Sequence, residues 1–220
     1  MPRIRQLAAL TGAAALALTA VGAPAYAAGT EIHRTDTSPH ALFAGNAQAG
    51  LLGNLVVNGG GTTTCTSATL TGSVDSDGDP LTMSSASVSG CSGIASAITF
   101  LNLPWTGTVQ RTTGTTHDAI ITLNGFSVRA TVTLFGLTVN CTYGGTATAK
   151  GYNATNAARP VTSNNQAQVD MSGVTITRTG GSFPCPSSAT IQTGAFQLRG
   201  EGSTAGTYNV PLEVVTPGQP

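Results

Sequence analysis

Four groups of side chains in this sequence are of types that do chemistry. The first is the acidic turn Asp75-Ser76-Asp77-Gly78-Asp79-Pro80. Its three carboxylates, Asp75, Asp77 and Asp79, stand at alternate positions and offer hard oxygens to a calcium ion. Its first five residues follow a calcium loop. The sixth is Pro80 where such a loop has glycine, and the twelfth is Ala86 where it has a bidentate glutamate. The competing reading is a solvated hairpin turn. The second group is His117-Asp118, the only adjacent acid–base pair. A hydrolase needs a nucleophile beside an oriented histidine, and the chain has no Gly-x-Ser-x-Gly elbow. The plain reading of the pair is a surface loop. The third group, Glu31, His33, Asp36 and His40, matches no standard zinc spacing. The fourth is aromatic: Tyr143, Tyr152 and Tyr208 are candidates for a ligand face that takes a sugar ring. Trp105 shares the phase of Leu101, Leu103 and Val109, which assigns it to the core. Only nine acids exist, three of them in one turn, so the paired carboxylates of a glycosidase are not in evidence. No catalytic residue and no cofactor other than calcium emerges from these groups.

The elements that must position these residues are strands. Ala68, Leu70, Gly72 and Val74 alternate with Ser67, Thr69, Thr71 and Ser73, a period of two with one apolar and one hydroxylated face. The return from Leu81 to Cys91 changes phase, which predicts a bulge near Ser84 and Ser85. Leu101 to Val109 reads as an extended segment, with Pro104 at a strand start or edge. Asn124-Gly125 lies between the alternating runs Ala119–Leu123 and Phe126–Leu134, which predicts a tight hairpin turn there. Phe135, Leu137, Val139, Cys141 and Tyr143 share a face, and Gly144-Gly145 should end that run. Residues 151–166 read as the longest loop. Short strands follow around Val169, Ile176, Ile191, Phe196 and Val210. Residues 31–40 read as a polar lead-in. With no helical period after the first thirty residues, the fold class is all-β: an antiparallel β-sandwich or barrel-like domain with two disulfides.

The amino terminus has the form of an export leader. Arg3 and Arg5 precede an apolar run from Leu7 to Val21, and Ala25-Tyr26-Ala27 is a cleavage signal. The expected organisation is a cleaved signal peptide at 1–27, an arm with the first strands at 28–62 and the β core at 63–220, with 28–220 forming one domain. Removing Arg3 and Arg5 leaves seven basic against nine acidic residues. That is too few cations for a nucleic-acid-binding face. No second apolar stretch is long enough to span a membrane. An even count of four cysteines in an exported chain argues for disulfides. Three connectivities exist, of which Cys65–Cys91 and Cys141–Cys185 each bracket a strand-rich block.

The alanine-rich leader, Thr-Cys65-Thr-Ser-Ala-Thr-Leu-Thr-Gly, Ser-Val-Ser-Gly-Cys91, Leu-Pro-Trp105-Thr and the closing Thr-Tyr208-Asn-Val run resemble a group of small secreted all-β proteins of actinomycetes. A more distant likeness is to the secreted activator of alkane oxidation proteins. The turn Asp77-Gly-Asp-Pro-Leu-Thr82 resembles one found in cadherin-like extracellular repeats. These resemblances imply export and a β fold, and carry over no catalytic residue. The reading is a non-enzymatic secreted protein with a cell-surface, matrix or binding role, whose partners are cell-wall or other extracellular surface components. The alternatives are a calcium-stabilised adhesive or carbohydrate-binding module, and a secreted hydrolase using His117-Asp118.

Overall fold

The computed structural model describes residues 29–113 and 115–219; the expected leader at 1–27 lies outside them. Thirteen strands, all paired antiparallel, form one sheet. In chain order they are β1 (Glu31–Arg34), β2 (Ala41–Leu42), β3 (Gly45–Asn58), β4 (Thr62–Val74), β5 (Leu81–Gly93), β6 (Ala95–Phe100) and β7 (Trp105–Arg111). Then come β8 (Ala119–Leu134), β9 (Leu137–Tyr152), β10 (Gln168–Asp170), β11 (Thr175–Gly180), β12 (Ser188–Glu201) and β13 (Tyr208–Val215).

Eight staves close into a barrel: β3, β4, β5, β7, β8, β9, the split stave β10 and β11, and β12, which returns to β3. Alternation of side chains makes this possible. From Ala68 to Val74 in β4, Ala68, Gly72 and Val74 share the buried phase and Thr69, Thr71 and Ser73 take the other. Closure pairs every stave with two neighbours and removes most of the exposed edge that an open sheet presents. It stays incomplete on one side. β5 pairs β7 only from Leu81 to Met83, and β6 pairs only β8. Beyond Met83 no ladder among the described residues joins β5 to β6, which leaves a seam.

The hairpin of β4 and β5 forms as its sequence predicts. Cys65 lies directly opposite Cys91, and the ladder slips by one residue at Ser84. Trp105 is buried, its indole N–H donates to the Leu101 carbonyl at 2.8 Å, and its ring packs on Phe126 at 4.7 Å and Phe100 at 5.8 Å. The extended face expected from Leu101 to Val109 is shorter than the pattern suggests. Residues 101–104 leave the sheet between β6 and β7, because Pro104 has no N–H for a ladder and Asn102 has a positive φ of 57°.

Asn124-Gly125 is not a hairpin turn. It lies inside the sixteen-residue strand β8, where the ladder to β9 skips from Leu123 to Phe126. Gly125, with φ of 71°, supplies the left-handed residue of a β-bulge. The reversal comes instead at Phe135-Gly136, with φ of 51° and 78°. Gly144-Gly145 likewise bends β9 without ending it. The polar lead-in also contains a strand: β1 pairs β13 from Glu31 to Arg34.

The two ends of the barrel are built differently. Both disulfides, Cys65–Cys91 and Cys141–Cys185, staple one end, where Trp105, Phe126, Tyr143 and Ile176 form a packed aromatic core. The β1–β13 ribbon crosses the other end. It is tied to the rim by Ile32 N–H to the Ser76 carbonyl (2.7 Å), Arg111 N–H to Thr30 Oγ1 (2.9 Å), and a reciprocal pair between the Asn153 side chain and the Val214 backbone.

The Cys141–Cys185 bridge spans a sequence separation of 44 residues and links β9 to the segment before β12. Replacing both cysteines with alanine should lower stability by about 2–5 kcal/mol. Urea melts of the two proteins measure this, and equal midpoints would show the bridge to be dispensable.

Candidate functional site

The acidic turn is a rim contact. The carboxylates of Asp75, Asp77 and Asp79 face solvent, and Asp77 Oδ1 accepts the Asp79 N–H at 3.1 Å. Among the described residues no group of three His, Cys, Asp or Glu side chains is arranged to hold a metal. What the turn does structurally depends on its glycine. Gly78 is buried with φ of 82°, and its carbonyl accepts the Val109 N–H at 2.8 Å. A Cβ on Gly78 would overlap the Val109 carbonyl oxygen. The turn therefore docks onto β7 while Ser76 receives the ribbon, and that close approach is why glycine stands there.

His117 and Asp118 point to different partners. Asp118 Oδ2 accepts the Asn153 backbone N–H and the Asn156 side-chain N–H, both at 2.8 Å, and Oδ1 accepts from Arg111 at 3.3 Å. The carboxylate thus organises the start of the 153–167 loop. The His117 ring lies edge-on to Tyr152 at 6.5 Å, with Nδ1 buried and unpartnered. This is not the geometry of a carboxylate orienting an imidazole towards a nucleophile.

The charged residues of the amino-terminal arm pair with one another or with β13. Glu31 holds His33 Nε2 at 2.9 Å, Arg34 forks onto Asp36 at 2.7 Å, and His40 meets Glu213. The Arg34 guanidinium holds the exposed Asp36 carboxyl below its ordinary range. These pairs brace the ribbon.

The three tyrosines do not share one exposed face. Tyr143 is buried in the aromatic core at the disulfide end, Tyr152 is buried near the ribbon, and Tyr208 is half-buried at the start of β13. Burial raises the Tyr143 phenol above its ordinary value of 10.0, partly opposed by Arg178. Burial also raises Tyr152, helped by Asp170 and Asp118.

Two features were not read from the sequence. One is Gln168, fully buried, which clamps the long loop: its amide N–H donates to the Val161 carbonyl at 2.8 Å and its Oε1 accepts the Val161 N–H at 3.0 Å. The other is an apolar chamber of about 110 Å³ in the lumen at the ribbon end. Ile32, Leu212 and Val214 of the ribbon cover it. Its walls include Ala47, Ala49, Ala119, Ala147, Ala149 and Ala167, whose short side chains leave the axis unfilled. The signal available in the sequence is alanine at successive inward positions of two long staves, β3 and β9. A void of this size costs about 2–3 kcal/mol relative to a filled core, at about 24 cal/mol per Å³.

The surface carries a second asymmetry. At the disulfide end the four connecting segments, 58–62, 92–96, 133–139 and 181–187, contain no charged residue. They present Phe135 and Phe183 at 88% and 83% exposure, with Leu137 beside the first. Pro186 and Leu134 both lie against Gly60, which brings these segments together. The ribbon end carries the aspartates of the turn, Arg111, Asp118 and Glu213. Among the described residues no helix is long and apolar enough to cross a membrane. No protein-family model, curated protein or solved structure matches the chain.

Two outcomes test this geometry. Gly78→Ala adds an overlap to an unfavourable φ, whereas Gly53→Ala, at φ of 79° with nothing within 4 Å, adds only the φ cost. Gly53→Ala should lose about 1 kcal/mol and Gly78→Ala clearly more in paired thermal melts. The tyrosines set alkaline behaviour. Below pH 10 folded and unfolded chains both carry neutral phenols. As pH rises past 10.0 the unfolded chain ionises first, so stability falls until the raised folded phenols also titrate. Tyr143→Phe should flatten that fall in melts taken from pH 8 to 11, and an unchanged slope would remove Tyr143 as its cause.

Proposed function

We propose that this is an exported, non-enzymatic protein that holds to an extracellular surface or matrix component through the charge-free turns at the disulfide end of its barrel. The observation that carries the reading is the pair of exposed phenylalanines, Phe135 and Phe183, on charge-free turns directly above the disulfide-stapled core. Large apolar side chains presented from rigid turns are the anchors of contact surfaces, since little conformational entropy remains to be lost when they are covered. Here Cys141–Cys185 and the packed rings beneath the turns tie their base to the core.

Export is supported by the leader-like first 27 residues, by the resemblance to secreted actinomycete proteins, and by two disulfides, which form and persist in oxidising compartments. A non-enzymatic role is supported by the geometry of the one adjacent acid–base pair. Asp118 is engaged by Arg111, Asn153 and Asn156 and does not orient His117. Thr- and Ser-rich outer strand faces suit contact with a hydroxylated polymer around the apolar anchors.

The test is co-sedimentation of residues 28–220 with purified cell wall, comparing the parent protein with Phe135→Ser/Phe183→Ser. The parent should sediment and the double variant should remain in solution. If both sediment alike, the charge-free turns are not the attachment surface. Amino-terminal sequencing of protein recovered from culture medium should begin at Ala28, and material found only inside cells would overturn export.

A further inference from the structure

We infer that the lumen of the barrel is a binding site for a compact, uncharged apolar molecule about the size of benzene. This goes beyond the surface attachment proposed above, since it concerns the opposite end of the barrel and none of the same residues.

Three observations carry it. The first is how the space arises. Along the β8–β9 ladder, large inward residues on β8 face the smallest ones on β9: Leu123 opposes Ala147 and Ile121 opposes Ala149. Ala119 then opposes Gly151 at the rim. One wall is thus stripped of side chain at three successive inward positions. β3 likewise gives the chamber only Ala47 and Ala49, so the missing bulk is not made up from that stave. Protein interiors otherwise pack as densely as organic crystals, and at the disulfide end of this same barrel large rings take the inward positions.

The second is the chemistry of the wall. Three of the four polar residues at its edge have their polar atoms engaged elsewhere. Gln168 is bonded to the Val161 backbone, Asn153 to the Val214 backbone, and Glu213 to His40. Tyr152, the fourth, lies at the same rim. A buried water requires two to four polar partners, and a cavity without them stays dry and takes apolar guests instead. A charged or strongly polar ligand would surrender its hydration here with little in return.

The third is size. At about 110 Å³ the chamber is well below the range of about 300–1,000 Å³ that holds drug-sized ligands, and close to the roughly 150 Å³ cavity known to admit benzene or xenon. The occupant is therefore a few carbon atoms across. It enters past the β1–β13 ribbon, whose Ile32, Leu212 and Val214 form the cover. The ribbon is joined to the barrel by its short ladder to β12 and to the rim by a handful of backbone and amide hydrogen bonds.

Benzene is the probe, applied to the oxidised protein of residues 28–220, with benzoate as the same ring bearing a charge. At a benzene concentration about 100 times its Kd, the melting temperature should rise by about 5–10 °C, saturably. Benzoate should leave it unchanged. Ala149→Leu fills the chamber and should abolish the response while raising the melting temperature of the ligand-free protein. If that variant does not fold, Ala147→Val narrows the same wall with less added bulk and should weaken the response. No saturable shift with benzene overturns the assignment. An equal shift with benzoate, or an undiminished shift in the filled variant, overturns it as well.

Discussion

Strand β12 carries ladders on both edges. On one side it pairs β3 from Thr190 to Gly200, and on the other β11, β10 and β13 follow one another along its length. This double pairing is the constraint on which the rest of the molecule depends. It closes the ring of eight staves, and it also hands the chain on to β13, whose partner β1 covers one mouth. Backbone N–H and C=O groups that a sheet edge leaves open are here satisfied by geometry that spans the whole sequence, from β1 to β13. Closure is consequently non-local, although most staves pair with strands next to them in sequence.

Given closure, the interior divides by side-chain volume. At the stapled end Trp105 packs on Phe126, and both share one apolar cluster with Tyr143 and Cys141–Cys185. At the ribbon end alanines take the inward positions and the axis is left open. The outside divides in a similar way, with the carboxylates of the acidic turn, Asp118 and Glu213 on the ribbon side and bare phenylalanines on the other. A chain with so few charged residues places most of its ionic contacts where a ribbon must be held down rather than spreading them over its surface.

Much of this was legible in the sequence, and the parts that were not share a cause. The hairpin closed by Cys65 and Cys91 could be read because it is local: matched phases, an acidic turn and a slip at Ser84 all lie within one contiguous stretch. Trp105 could be assigned to the core from its phase alone. Asn124-Gly125 could not be placed correctly, because a positive φ at glycine serves a reversal and a bulge equally well. What separates them is whether a partner strand runs past, as β9 does here, and no local signal reports that. The strand at Glu31–Arg34 was hidden because only Ile32 and His33 are buried and their cover lies nearly two hundred residues away. The fate of Asp118 was equally out of reach: its partners Asn153 and Asn156 come from a loop with no pattern of its own. Tyr143 and Tyr152 looked like one set because composition does not say which end of a barrel a stave position occupies.

The seam between β5 and β6 gives the barrel a mechanical grain. Elsewhere, widening the cylinder means stretching a ladder of backbone hydrogen bonds. Between Ser84–Gly93 and Ala95–Phe100 there is none to stretch, and the two segments stay joined only through the short link at Ile94 and through their outer neighbours β4 and β8. The cylinder is stiff around most of its circumference and compliant along this one line. Changes in girth concentrate there, as in a split collar, and the Cys65–Cys91 bridge, lying beside the slit on its β5 flank, keeps that lip of the collar fixed to β4 while it flexes.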